Sequence, residues 1–293
     1  MKELLILSGK GGTGKTTIAG AFVKLSSVRA YADCDVDAPN LHLIFGCGDT
    51  PKSTNYYGLP KANINADLCI KCDKCRGNCQ FGAITFSDVY KVNHFACEGC
   101  SVCHLVCPVN AVSMIPAVSG ELMLYENEQR VFSTAQLKMG SGTSGMLVTK
   151  VKRQMKDAAS GADLAIIDGS PGIGCPVIAS ISGVDLVLVV AEPSLSGISD
   201  MERIIATAQK FGTPTAVCVN KYDTCLGNTK KIEEICKNRG LPFVGKIPFD
   251  PQAVIAVNNG QAITDVDCKS GLAVKGVYKN AMKLLHNVAN GKQ

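Results

Sequence analysis

The chain has no tryptophan, and aromatics make up only 5% of its 293 residues, leaving a core to be built from aliphatic side chains. The net charge is a mild +5, and like charges never gather in blocks of about five or more. The electrostatic footprint of a nucleic-acid binder is missing, so no nucleic-acid partner is expected. Long apolar runs are missing too. Met1-Lys2-Glu3 leads into four aliphatic residues before Ser8 and Gly9, too few for a signal-peptide core or a membrane span. A cytoplasmic location is expected, without membrane association. In that reducing setting, 15 cysteines point to metal or redox chemistry rather than disulfides. A hydrophobic share of 46% is enough for a full core, in one large domain or two smaller ones.

Against these absences stands a glycine-rich stretch. Leu4 to Leu7 is a strand pattern, Ser8 to Gly14 a turn, and Ile18, Ala19, Phe22 and Val23 the apolar stripe of a helix. Gly9, Gly14, Lys15 and Thr16 fit the spacing G-x-x-x-x-G-K-[ST]. In that motif backbone N–H groups wrap phosphates, the lysine reaches the outer ones and the hydroxyl ligates Mg²⁺. Gly9, Gly11, Gly12, Thr13, Gly14, Lys15, Thr16 and Thr17 are therefore the candidate phosphate cradle. Glycine is needed where a Cβ would block the approach of backbone to anionic oxygens. Val28 to Cys34 reads as a second strand whose end carries Asp33, Asp35 and Asp37, beside the ligand crevice of a parallel sheet. Leu164 to Asp168 is an apolar strand ending in an acid, the Walker B pattern, with Asp168 placed to hold Mg²⁺.

The cysteines fall into a duplicated pattern. Cys69-x-x-Cys72-x-x-Cys75-x-x-x-Cys79 is followed, 28 residues later, by Cys97-x-x-Cys100-x-x-Cys103-x-x-x-Cys107-Pro108. Ala83-Ile84 and Ala111-Val112 keep the same offset. This is the pattern of the two-cluster bacterial ferredoxin, in which the fourth ligand of each set serves the other cluster. Cys69, Cys72, Cys75 and Cys107 are the candidate ligands of one [4Fe-4S] cluster, and Cys97, Cys100, Cys103 and Cys79 of the second. Paired zinc sites are the competing reading, since C-x-x-C pairs also bind zinc. Gln80 stands where a proline follows Cys107, a difference near Cys79 that removes no ligand.

Pro51 to Pro60 reads as a linker into this module. Leu122 to Tyr125 and Val131 to Phe132 return to strand patterns, so the module is inserted rather than appended. The expected division is a discontinuous nucleotide-binding domain, 1–59 and 119–293, and an insertion, 60–118. Helices are expected over Met146 to Ala159, Ile198 to Phe211, Lys230 to Asn238 and Leu272 to Asn290. Strands are expected over Val184 to Ala191, Thr215 to Asn220 and Pro242 to Ile247. The fold class is α/β, a P-loop NTPase parallel sheet with helices on both faces. It carries an inserted α+β domain of bacterial ferredoxin type.

The second loop lysine in Gly9-Lys10-Gly11-Gly12, the run Asp33 to Leu41, and Gly169 to Pro176 resemble the deviant Walker A, switch I and switch II segments of the MinD/Mrp ATPase family. The resemblance implies ATP/ADP with Mg²⁺, and catalytic roles for Lys10, Lys15 and Asp35. Lys10 would reach the nucleotide of a partner subunit, while Asp35 would orient or deprotonate the attacking water. Asp33 would join Thr16 and Asp168 around Mg²⁺, and Asn220 and Pro248 would grip the adenine. It implies a nucleotide-dependent homodimer, or a heterodimer with a paralogous ATPase. Cys175 stands seven residues after Asp168, as a bridging-cluster cysteine does in the nitrogenase iron protein, but the comparable loop Gly140 to Gly145 offers no second cysteine. Together these features lead to an ATPase coupled to iron-sulfur or metal cofactor assembly, or to electron delivery to a client iron-sulfur or redox protein. The alternative is a positioning ATPase of the MinD/ParA sort whose clusters sense redox state.

Overall fold

The computed structural model describes residues 1–44 and 50–290. Positions 45–49 and 291–293 of the expected nucleotide domain lie outside the described residues. The body begins with β1 (Lys2–Leu7), α1 (Lys15–Ser26), β2 (Ala30–Asp33) and β3 (Lys52–Tyr57). A smaller unit follows, with β4 (Lys61–Ile64), α2 (Lys74–Gly77), β5 (Ile84–Phe86), β6 (Tyr90–Val92), α3 (Val102–Leu105) and β7 (Val112–Ile115). The body resumes with β8 (Val118–Glu126), β9 (Val131–Leu137), α4 (Ser144–Ala158), β10 (Leu164–Asp168), α5 (Cys175–Ile181) and β11 (Leu186–Ala191). It ends with α6 (Leu195–Lys210), β12 (Thr215–Asn220), α7 (Leu226–Asn238), β13 (Phe243–Ile247), α8 (Pro251–Asn258) and α9 (Lys269–Asn290).

The body is built on one nine-stranded sheet in the order β13-β12-β11-β1-β10-β2-β9-β8-β3. The strands from β13 to β9 are parallel; β8 runs antiparallel to both β9 and β3. The expected parallel sheet thus gains an antiparallel edge. Apolar residues in sequence point to alternate faces, so both faces need cover. Leu5, Leu7, Ile167 and Val189 pack under α4, α5 and α6, while Leu4, Ile6, Ile166 and Leu188 pack under α1 and α9. In α9, Val274, Val277 and Leu285 are buried on that second face, so its apolar stripe is used by its own sheet. Among the described residues no helix is long and apolar enough to cross a membrane.

Residues 51–60 are not a linker. They contain β3, the outermost strand, in which five of six side chains are exposed and only Tyr56 is buried. An edge strand with one face in water carries no apolar pattern to read. Tyr57 stands opposite Val118 on β8, so the smaller unit leaves and re-enters the body at adjacent positions.

That unit has its own core of Ala62, Cys75, Ala83, Ile84, Tyr90, Cys97 and Val112. Its backbone repeats with the 28-residue offset of the cysteines. Helix α2 starts at Lys74 and α3 at Val102; β5 starts at Ile84 and β7 at Val112. Left-handed residues also come in pairs at that offset: Lys71 and Gly99, Asp73 and Ser101, Gly82 and Asn110. The halves exchange strands, since β4 pairs with β7 and β5 with β6. The Asn65 N–H donates to the Ala111 carbonyl at 2.8 Å, and the Asn93 N–H to the Ala83 carbonyl at 2.7 Å, one bond made twice.

Two outcomes follow for the body. Lys152 is buried on α4, and its ammonium donates to the Ser180 and Ser182 carbonyls at 2.7 Å each, closing the end of α5. Lys152→Met should cost about 2 kcal/mol in urea unfolding, since those carbonyls lose a charged donor. Because Tyr57 and Val118 are paired, replacing 58–117 by a tight Asn-Gly turn should leave a folded body that still binds nucleotide, checked by circular dichroism and calorimetry. A collapsed body would show that the two parts share a core.

Candidate functional site

Functional side chains line the carboxyl edge of the parallel strands, almost one per strand. Pro248 follows β13, Asn220 ends β12, Glu192 follows β11, the glycine loop follows β1, Asp168 ends β10 and Asp33 ends β2. A parallel sheet opens its ligand crevice at this edge, where neighbouring strand order reverses. Here that point is β1, flanked by β10 and β11. The loop needs its glycines at two positions. Gly12 (φ 78°) and Gly14 (φ 89°) are left-handed, and a Cβ on Gly14 would collide with the Asn220 amide. That amide donates to the Thr13 carbonyl at 2.7 Å and so braces the loop from β12.

Register brings the acids together. Asp33 and Asp168 are paired residues on adjacent strands, both fully buried. The Lys15 ammonium lies 2.5 Å from Asp168 Oδ1 and 3.3 Å from Thr16 Oγ1. Burial opposes the charge on Lys15, but Asp168, Asp33 and Asp35 outweigh it and raise its pKa. Burial and the adjacent Asp168 push the Asp33 carboxyl up to about 7. Burial likewise raises Asp35. Three carboxylates face one ammonium, and Asp168 Oδ2 is buried without a hydrogen-bond partner. This is a donor set that a divalent cation fits: hard oxygen ligands, an excess of negative charge and an orphaned oxygen aimed inward. Asp33 differs from Asp168. Its Oδ1 accepts the Asp35 N–H and its Oδ2 the N–H groups of Asn40 and Leu41, each at 2.9 Å, so it pins the loop that carries Asp35.

A cleft of about 700 Å³, within the usual range of small-molecule sites, is lined by residues 10–17 with Asp35, Asp37 and Asn40. A second cavity joins it over Gly12, Gly14 and Thr17, and is walled by Asn220, Lys221, Pro248, Phe249 and Val274. Asn220 and Pro248 thus stand beside the phosphate loop on its base-sized side. Lys10 borders the first cleft, and its ammonium is held 2.9 Å from Glu192 Oε2 and 3.3 Å from Ser196 Oγ. Glu192 also holds Lys221, at 3.3 Å, and the Lys221 ammonium donates to the Gly12 carbonyl at 2.9 Å. Burial opposes it, but the two lysines hold the Glu192 carboxyl below its ordinary value. Sequence reasoning passed over Glu192, and placed Lys221 with Asn220 at the adenine rather than on this carboxylate. An acid just past the end of an apolar strand was the available signal, the one that singled out Asp168.

The eight paired cysteines are free of disulfides. Cys69, Cys72, Cys75 and Cys107 line one narrow cavity, with Ile64, Tyr90 and Val112. Three come from the first half and one from the second, as the strand exchange requires. The Ala111 N–H donates to Cys107 Sγ at 3.2 Å. Burial opposes it, yet the N–H groups of residues 109–112 hold the Cys107 thiol below its ordinary value, favouring a thiolate. Cys97 and Cys100 both lie within electrostatic reach of the Cys103 thiol. Cys97 is buried and Cys79 half-buried in the same small core. Among the described residues no three Cys, His, Asp or Glu side chains close around a single ion. A cubane meets its cysteines at separate corner irons, and a cavity walled by four thiols fits that demand. Cys175 is exposed at the start of α5, with Gly145 against its backbone.

Comparison with known proteins extends over nearly the whole chain. Residues 4–263 match the CobQ/CobB/MinD/ParA nucleotide binding domain. An uncharacterized protein of Methanocaldococcus jannaschii is 33% identical over 97% of both chains. An iron-sulfur cluster carrier protein of Pyrococcus furiosus is 24% identical over 86% of this chain and 75% of its own. The solved structure of the septum site-determining protein MinD with Mg-ADP, from Pyrococcus horikoshii, superposes with a TM-score of 0.60 over 98% of both chains, at 18% identity. Fold, glycine loop and family match agree: the chain belongs to the CobQ/CobB/MinD/ParA family of P-loop ATPases.

Proposed function

We propose that this ATPase is a nucleotide-switched dimer that couples Mg-ATP to iron-sulfur or metal cofactor assembly, or to electron delivery to a client iron-sulfur or redox protein. The observation that carries the reading is the cavity walled by Cys69, Cys72, Cys75 and Cys107 on the same chain as the Lys15–Asp168 cradle. The name of the Pyrococcus furiosus relative supports it. The smaller unit is read as a bacterial-type ferredoxin domain inserted over 60–118. Cys69, Cys72, Cys75 and Cys107 would hold one [4Fe-4S] cluster, and Cys97, Cys100, Cys103 and Cys79 the other. Such clusters supply one-electron redox chemistry.

In the nucleotide site, residues 9–17 bind the phosphates and the Lys15 ammonium leaves Asp168 for the outer ones. Thr16 and Asp168 then face Mg²⁺, with Asp33 steadying the loop beside them. Asp35, half-buried on that loop, faces the attacking water. Lys10 acts in the deviant Walker A manner, leaving Glu192 to reach the nucleotide of a second subunit. Hydrolysis by such a site is slow and stimulated by the partner. The likeness to MinD supports a second reading, a positioning ATPase whose clusters sense redox state. Cluster potentials measured with and without ATP separate electron delivery, which requires them to differ, from redox sensing and cluster delivery, which do not.

Three measurements test the proposal. Anaerobically purified protein should carry about eight irons with matching sulfide, and Cys75→Ala at least about half fewer. Zinc in place of iron ends the cluster reading. Lys15→Ala should abolish ATP binding in calorimetry, through loss of the cradle's central cation. Lys10→Ala should bind ATP with unchanged affinity but stay monomeric in light scattering with a non-hydrolysable analogue. A nucleotide-dependent dimer in that variant would remove the trans role of Lys10.

A further inference from the structure

The two cysteine loops are copies in sequence, but the body treats them differently. In the first, Ile70 is 61% exposed and Lys71 beside it is also exposed. At the corresponding positions of the second, Glu98 is half-buried and Gly99 buried. A Cβ on Gly99 would meet the Pro60 carbonyl at 2.5 Å, and a methyl on Gly142 would meet the Glu98 carboxylate at 2.8 Å. Lys61, just past that proline, donates from its ammonium to the Cys97 carbonyl. The second loop therefore packs on the root of its own unit at Pro60 and Lys61 and reaches the body at Gly142, in loop 138–145, which here includes the first two residues of α4.

Loop 138–145 also touches both edges of the nucleotide site. It continues directly from β9, where the Leu137 N–H donates to the Val36 carbonyl at 2.8 Å and the Gln136 amide to the Asp37 carbonyl at 3.0 Å. Those carbonyls flank the loop that Asp33 pins and that carries Asp35. At its other end, Gly145 packs on Cys175, and a Cβ there would lie 3.1 Å from the Cys175 carbonyl. Cys175 begins α5, immediately after 169–174, where the Gly172 N–H donates to the Ser8 carbonyl at 3.1 Å. Between these ends, the Thr143 carbonyl accepts the Tyr56 hydroxyl at 3.3 Å, which ties the loop to β3 at the root of the smaller unit. Movement of either flank of the nucleotide site must displace this loop or strain these bonds.

We infer that loop 138–145 carries the state of the nucleotide site to the second cysteine loop, Cys97 to Cys103, through Glu98. The first cysteine loop, Cys69 to Arg76, is left as the outward-facing one. Of the two proposed clusters, only the one held by Cys97, Cys100 and Cys103 then responds to ATP. The inference rests on the proposed coupling of nucleotide to clusters and names the element that provides it. Small residues in the loop have a purpose here: Gly142 admits the Glu98 carboxylate, and Gly145 admits the start of α5.

Hydrogen exchange read by mass spectrometry tests this on the iron-loaded full chain, with Mg²⁺ and AMPPNP. Exchange should change by about fivefold or more in 97–103 and 138–145, the scale of site-to-site coupling, and stay constant in 69–76. In Glu98→Ala and Gly142→Val the response of 97–103 should be lost, while protection of 9–17 and the iron content remain. Both changes are at solvent-accessible positions, and either variant alone suffices as a test. Protection of 9–17 with an unchanged 97–103 overturns the inference alone, as does a response of 97–103 that survives either substitution or is matched in 69–76. Absence of protection at 9–17, or of iron, removes the proposed function and this inference with it.

Discussion

The buried charge at the carboxyl edge of the sheet is the constraint on which the rest depends. Strand register sets Asp33 beside Asp168, and the phosphate loop can supply only Lys15 against them. Charges held out of water cost several kcal/mol each unless paired and hydrogen-bonded. The body meets this by binding both oxygens of Asp33 with backbone N–H groups and one oxygen of Asp168 with Lys15. The other oxygen of Asp168 is left over. A metal-bound polyphosphate answers that imbalance on both counts, since its cation complements the aspartates and its phosphates take the lysine. Binding therefore relieves a charge imbalance built into the fold, and the loops that hold the aspartates and Lys15 are the ones a ligand would move.

The smaller unit is attached at this same edge. Strand β3 runs parallel to β9 through the intervening antiparallel β8, so Tyr57 and the loop after Leu137 emerge at the same edge as the nucleotide site. Cysteines and phosphate loop therefore share one side of the sheet. A unit attached at the opposite edge would be separated from the ligand by the length of the strands.

Much of this was legible in the chain because it is local. The glycine loop, the strand ending in Asp168 and the 28-residue cysteine repeat are set by spacing alone. The misread portions depend on tertiary position. Lys52 to Tyr57 looked like a linker because five of its side chains meet water, and only pairing with β8 makes it a strand. Lys10 gave no sign that it rests on Glu192, which is distant in sequence and adjacent only across the crevice. The unequal setting of the two cysteine loops was also hidden, since duplication makes them look alike and packing against Leu59, Pro60 and Gly142 sets them apart.

The exchange of strands within the smaller unit has a consequence for how the protein is made. Neither half owns a complete sheet, and the cage of Cys69, Cys72 and Cys75 is completed only by Cys107. During synthesis the first three thiols emerge from the ribosome long before the fourth. Strand β4 likewise waits for β7, so neither the sheet pairing nor the four-thiol cavity of this unit can close until its second half has been translated.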